Sequence, residues 1–215
     1  MSEARKETGL MNATAPSRWR RTVNLTALAA VAVLAATGCT ATADVVAYDL
    51  PAQSARYSFE AETNGVKTVW EYTSDRPTKA DTPTSQPCIA DSVVKDPGPC
   101  RPEPLIFLRY DLGLDLDNTA EAGGLHPITV TGYYQDRLSK PPIVTKVRVE
   151  ASVDDGKTWR PAITGQAVGR PNTFTALVKH PKRDEAPGGV ALRITATDSA
   201  GDTVKQTIPK AYQLR

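Results

Sequence analysis

The chain has 215 residues, 40% of them hydrophobic, with 26 Lys or Arg against 24 Asp or Glu, which allows one or two small domains. Five of those basic and two of those acidic residues fall in residues 1–38, so the remainder holds 21 basic and 22 acidic. That near-neutral balance builds no broad positive field for a phosphate backbone and argues against nucleic acid as a partner.

Residues 1–38 read as an export signal. Arg18, Arg20 and Arg21 precede an apolar run from Leu25 to Ala36, and small residues follow. A basic segment, a short apolar segment and a small-residue cleavage region make that pattern. The run is too short to favour a permanent membrane span. ATGC, Ala36 to Cys39, is similar to a bacterial lipoprotein box, in which Cys39 would become the lipid-bearing first residue. Ala36 stands where such boxes usually carry leucine. Ala41 to Ala43 offers ordinary cleavage before Asp44 instead. The Arg20–Arg21 pair leaves a twin-arginine route open beside the general one.

Residues 39–103 predict a β-hairpin followed by a long loop. Tyr57, Phe59 and Ala61 alternate with polar residues, a half-buried strand pattern. Asn64-Gly65 signals a tight hairpin turn. VKTVWEYTS supplies the second strand with β-branched and aromatic residues. Residues 75–103 are rich in Pro, Thr, Ser and Asp. Within them, Cys88 and Cys100 bracket a run of turn formers and are expected to pair in an oxidising compartment. Closing so short a loop would stabilise the fold by roughly 3 kcal/mol. The spacing suits neither a redox pair nor a zinc knuckle.

Strand signals resume with PLIFLRYDL near Leu105. They continue through PITVTGYY, PPIVTKVRVEASV, TWRPA, TFTALVK, GVALRITATD and DTVKQTI. No segment holds a helical period beyond one or two turns. The series predicts an all-β sandwich, Ig-like or fibronectin-type, over residues 104–210, with the additional N-terminal β-hairpin before it. The expected core is Phe107, Tyr110, Ile128, Val130, Val147, Val149, Trp159, Phe174, Leu177, Leu192, Ile194, Val204 and Ile208. Each large side chain buried would contribute roughly 1.5–3 kcal/mol.

SVDDGKTW, Ser152 to Trp159, reads as a hairpin corner. Asp154 can accept amide hydrogens across the turn, Gly156 can take the left-handed conformation, Ser152 can bond locally, and Trp159 can cover the corner. The segment resembles the Asp box of sialidases and related secreted proteins: Ser152, Asp154, Gly156, Thr158 and Trp159 all match. In those families the box is a structural signature repeated around a propeller. A single copy implies neither a propeller nor sialidase activity.

A wider resemblance spans LIFLRYDLGLDLDNTA, VRVEASVDDGKTWRPA, FTALVKHP and VALRITATDSAGDTVKQTIPKAYQLR. These blocks are similar to the β-rich C-terminal region of secreted subtilisin-family serine peptidases of actinobacteria. Subtilisin-family catalysis needs a buried Asp, a His followed by Gly, and a Ser in Gly-Thr-Ser. Here His126 and His180 are each followed by proline, and no Gly-Thr-Ser occurs. The resemblance therefore implies an accessory tail without its enzyme.

Other chemistry is weakly signalled. No nucleophile is placed near His126 or His180 by any motif. Asp111, Asp115, Asp117 and Asn118 could offer oxygens to calcium, but without the EF-hand glycine and glutamate. Lys179 to Glu185 is a mixed-charge turn. Tyr133 and Tyr134 are the first candidates for a sugar platform. These readings converge on a non-catalytic exported module without a cofactor, either tethered at the outer face of the membrane through Cys39 or secreted. Its expected partner is an extracellular or envelope protein or polysaccharide. A carbohydrate- or cell-wall-binding module, a remnant peptidase tail, and an unrecognised hydrolase are the alternatives.

Overall fold

The computed structural model describes residues 40–42, 45–47, 50–83 and 98–215. The expected export segment with Cys39, the alternative cleavage point at Asp44, and Cys88 lie outside the described residues. Cys100 is disulfide-bonded; its pairing with Cys88 stays an expectation.

Strands β1 (Thr40–Thr42) and β2 (Val45–Ala47) pair as a separate antiparallel ribbon. Strands β3 (Ala55–Thr63) and β4 (Val66–Ser74) form the expected hairpin. Asn64 and Gly65 both take positive φ, 51° and 77°, the turn whose twist matches its flanking strands. The hairpin extends the sandwich directly, because β4 pairs with β13 (Thr203–Leu214), Thr203 opposite Glu71 and Thr207 opposite Lys67.

The large sheet runs β3-β4-β13-β12-β8-β9, where β12 is Val190–Asp198, β8 is Val144–Ser152 and β9 is Arg160–Pro161. The short β6 (Thr119–Ala120) pairs in parallel with the end of β13 and makes seven strands. The small sheet runs β10-β11-β7-β5, comprising Ile163–Gln166, Thr173–Lys179, Leu125–Tyr133 and Phe107–Asp111. All pairings within these two sheets except that of β6 are antiparallel. The fold is an all-β sandwich of Ig-like or fibronectin type. Among the described residues the only helical pieces are two 3-10 turns, Lys79–Asp81 and Arg183–Glu185.

Alternation decides the core, since successive side chains leave a strand on opposite faces. Val147, Val149 and Ala151 of β8, Leu192, Ile194 and Ala196 of β12, and Val204 of β13 point inward and are buried. Ile128 and Val130 of β7, with Phe174, Ala176 and Val178 of β11, close over them. Tyr110 and Ile208 are partly buried against this core. Three expected core residues stand outside it. Leu177 lies between Ala176 and Val178, so the period of two turns it outward. Phe107 packs on Trp70 and Tyr133 at the rim. Trp159 lies on the outer side of the large sheet, beneath Arg193. The sequence reading had not included Ile106, Val144, Val190 or Tyr212, all buried here.

A smaller cluster of Leu50, Tyr57 and Tyr72 sits under the hairpin. At this end the Tyr57 hydroxyl and one Glu103 carboxylate oxygen are buried without a hydrogen-bond partner. Burial pushes the Glu103 carboxyl above its ordinary value, and its Ser74 hydrogen bond and Arg101 only partly offset that. A carboxylate raised in the folded state favours folding most at low pH, and that contribution is lost as pH rises through the folded value. Glu103→Gln is therefore expected to raise the melting temperature at pH 7, with the gain vanishing near pH 4. Thermal melts across that range check it; a destabilised variant at pH 7 would refute the reading.

Candidate functional site

The same alternation that buries one side of β8, β12 and β13 exposes the other. Lys146, Arg148 and Glu150 leave β8 outward, Arg193, Thr195 and Thr197 leave β12, and Lys205 leaves β13. The register aligns them in rows: Arg193 opposite Glu150, Thr195 between Arg148 and Lys205, and Thr197 opposite Lys146. These seven residues line an open concavity of about 500 Å³. Four cations face one carboxylate there.

Glu150 organises the face. It is buried; one oxygen accepts from Arg148 at 2.7 Å and the other from Arg193 at 2.8 Å. Chiefly the Arg193 hydrogen bond holds its carboxyl below the usual value. Arg193 is fixed from its other side by the Trp159 ring, 4.4 Å from guanidinium carbon to ring centre, a cation–π contact worth about 0.5–1 kcal/mol. Lys146 and Lys205 have no ion-pair partner among the described residues and are exposed. The arrangement combines two braced guanidinium groups, two free ammonium groups and two threonine hydroxyls. It presents hydrogen-bond donors and positive charge to an anion.

The Ser152–Trp159 turn borders this face and is closed by its own side chains. The Ser152 hydroxyl donates to Asp154 at 2.7 Å, and Asp154 accepts the Thr158 amide at 2.9 Å and the Thr158 hydroxyl at 2.6 Å. The Gly156 amide donates to Ser152 Oγ at 2.9 Å. The Thr158 hydrogen bonds hold the Asp154 carboxyl far below the ordinary range. Asp155 and Gly156 take positive φ, 57° and 82°, and the Trp159 ring packs against Gly156 where a Cβ would stand. The Asp154 oxygens are taken up within the turn.

The two histidines, far apart in sequence, stack at 4.9 Å. His126 Nε2 lies 2.7 Å from the Leu112 carbonyl. His180 is buried, Nδ1 2.7 Å from the Glu121 carbonyl and Nε2 2.8 Å from the Tyr212 hydroxyl. A carbonyl accepts only, so Nδ1 carries the proton and Nε2 accepts from Tyr212. Burial, the largest cause, lowers the His180 value, and the neighbouring His126 lowers it further. A histidine depressed on folding contributes stability above its ordinary value near 6.5, and that contribution falls away as pH drops toward the folded value. Unfolding free energy is expected to decline as pH falls below about 6.5. His180→Gln should flatten that segment of the curve. An unchanged slope would rule out His180 as its source.

The remaining candidates do not converge. Asp111 caps the Gly113 amide, Asp117 holds Thr119, and Asp115 pairs with Arg215. Among the described residues no group of three or more His, Cys, Asp or Glu is placed to hold a metal ion. Tyr133 and Tyr134 leave the chain on opposite faces. Tyr133 is exposed, but Arg109 lies over its ring at 5.3 Å. Tyr134 is buried and donates to Asp198. The pair therefore makes no shared platform. In Lys179–Glu185, Glu185 accepts the Lys182 amide at 3.3 Å.

The sequence reading missed the basic face. Its signal is present: Lys146, Arg148 and Glu150 occupy every second place in TKVRVEAS, the outward half of the alternation whose inward half marks the core.

No protein-family model, curated protein or solved structure matches the chain. The resemblance to subtilisin-family tails and to the Asp box thus rests on the quoted motifs alone.

Proposed function

We propose that this chain is a non-catalytic, exported contact module that works at the cell surface through the outer face of its large sheet. The observation that carries this reading is the cation-lined concavity on β8, β12 and β13, with Lys146 and Lys205 free to engage a partner. The potential catalytic groups are otherwise occupied: both histidines serve backbone carbonyls and Tyr212, and Asp154 serves its own turn. The export pattern supports placement outside the membrane, lipid-tethered at Cys39 or released after cleavage before Asp44. A Cys88–Cys100 disulfide belongs to the same reading.

Two measurements test it. Intact mass and N-terminal identity of the protein from fractionated native cells separate the routes. A diacylated chain beginning at Cys39 in the membrane fraction means a tether, a chain beginning near Asp44 in the medium means release, and an unprocessed cytoplasmic chain overturns export. Retention on washed native envelopes, compared between the processed protein and Lys146→Glu/Lys205→Glu, tests the face. Loss of retention supports it, and equal retention overturns it.

A further inference from the structure

The mixture of groups on the basic face narrows the partner. Its central strand contributes two hydroxyls, Thr195 and Thr197, beside the guanidinium of Arg193, and cations flank the threonines from both neighbouring strands. Arg148 and Lys205, on either side of Thr195, have backbones about 9–10 Å apart. Lys146 and Arg148, two places apart on one strand, are about 7 Å apart. Glu150 adds a fixed acceptor inside the concavity, already neutralised by Arg148 and Arg193.

A densely charged phosphate chain would need more free cations than the face offers, because Arg148 and Arg193 are already paired with Glu150 and, among the described residues, only Lys146 and Lys205 of this face are left unpaired. A sparsely charged, hydroxyl-rich chain satisfies every element. Its acid groups meet Lys146 and Lys205, and its hydroxyls exchange hydrogen bonds with Thr195 and Thr197. The concavity is open, which suits a segment of polymer rather than an enclosed small molecule.

We propose that the outer face of β8, β12 and β13 binds a linear acidic polysaccharide, one whose sugar repeats carry carboxylates. This rests on the contact-module reading above and names its ligand class. Charge complementarity is the argument for this occupant: the processed chain is close to neutral overall, yet this face concentrates four cations against one carboxylate.

The processed protein is titrated with oligogalacturonate, with neutral dextran and inorganic polyphosphate as comparators, at about 0.05 and 0.15 M salt. Saturable binding to oligogalacturonate, weakened by salt and absent for dextran, is expected. Lys146→Glu/Lys205→Glu should weaken it about tenfold or more, and Lys146→Gln/Lys205→Gln should weaken it less. Lys179→Glu/Lys182→Glu changes net charge equally but lies off the face, and should leave affinity unchanged within about twofold. Melting curves establish that each variant folds. Equal weakening by the off-face pair would reduce the effect to net charge and overturn the site. Tighter binding to polyphosphate than to oligogalacturonate would overturn the polysaccharide assignment. Absent oligogalacturonate binding, with envelope retention still lost in Lys146→Glu/Lys205→Glu, would remove this ligand class and leave the contact face standing. Unchanged envelope retention in that variant would remove the face itself.

Discussion

Leu192→Ala is expected to lower the unfolding free energy by about 2–5 kcal/mol. Leu192 is fully buried on β12, with Ala151 of β8 and Ile208 of β13 directly beside it. Truncation removes the transfer energy of the lost atoms and leaves a gap in a close-packed interior. β12 lies between β8 and β13, so it cannot move inward without disturbing two strand ladders. Denaturant unfolding measures the loss as a lower midpoint at an unchanged slope. A change under about 1 kcal/mol would show that the surrounding side chains collapse into the gap. Arg193 follows Leu192 on the opposite face, so the same substitution should blunt the basic concavity if β12 shifts.

Asp198→Ala is expected to cost about 3 kcal/mol or more, by stranding up to three donors. The Asp198 carboxylate is buried. One oxygen accepts the Ala200 and Asp202 amides, both at 2.9 Å, and closes the turn between β12 and β13. The other accepts the Tyr134 hydroxyl at 2.8 Å. Tyr134 follows directly on β7 of the small sheet, so this carboxylate joins the two sheets as well as the turn. A double-mutant cycle with Tyr134→Phe isolates the inter-sheet link. A coupling above about 0.5 kcal/mol is expected, and additive losses would mean that the turn alone needs Asp198.

The strand order of the chain was legible because its signals are local. PPIVTKVRVEASV alternates cleanly, and the structure buries Val147, Val149 and Ala151 as that alternation requires. Asn64-Gly65 announced its hairpin through the positive φ its turn needs. TFTALVK was read less well: size suggested Phe174 and Leu177 together, although an odd spacing cannot place both on one face. Trp159 misled for a related reason. A tryptophan beside a turn usually finds apolar cover, and here it supports a guanidinium on the outer face instead.

The candidate site was legible only in pieces. Lys146 and Arg148 are neighbours on one strand, but Arg193 and Lys205 join them solely through the pairing of β8 with β12 and of β12 with β13. Summed charge hid the cluster, because the remaining acidic residues cancel it in any count along the chain. The stacking of His126 on His180 arises likewise, from β7 and the end of β11 lying side by side.

By itself the sequence determined the β class, the hairpin at Asn64-Gly65 and the polar corner at Ser152–Trp159, since side-chain alternation and turn hydrogen bonds act between residues close in the chain. Only the tertiary structure decided which outward-facing residues became neighbours. That outcome depends on strand register, and register is set by how two inner faces pack together across the whole sandwich.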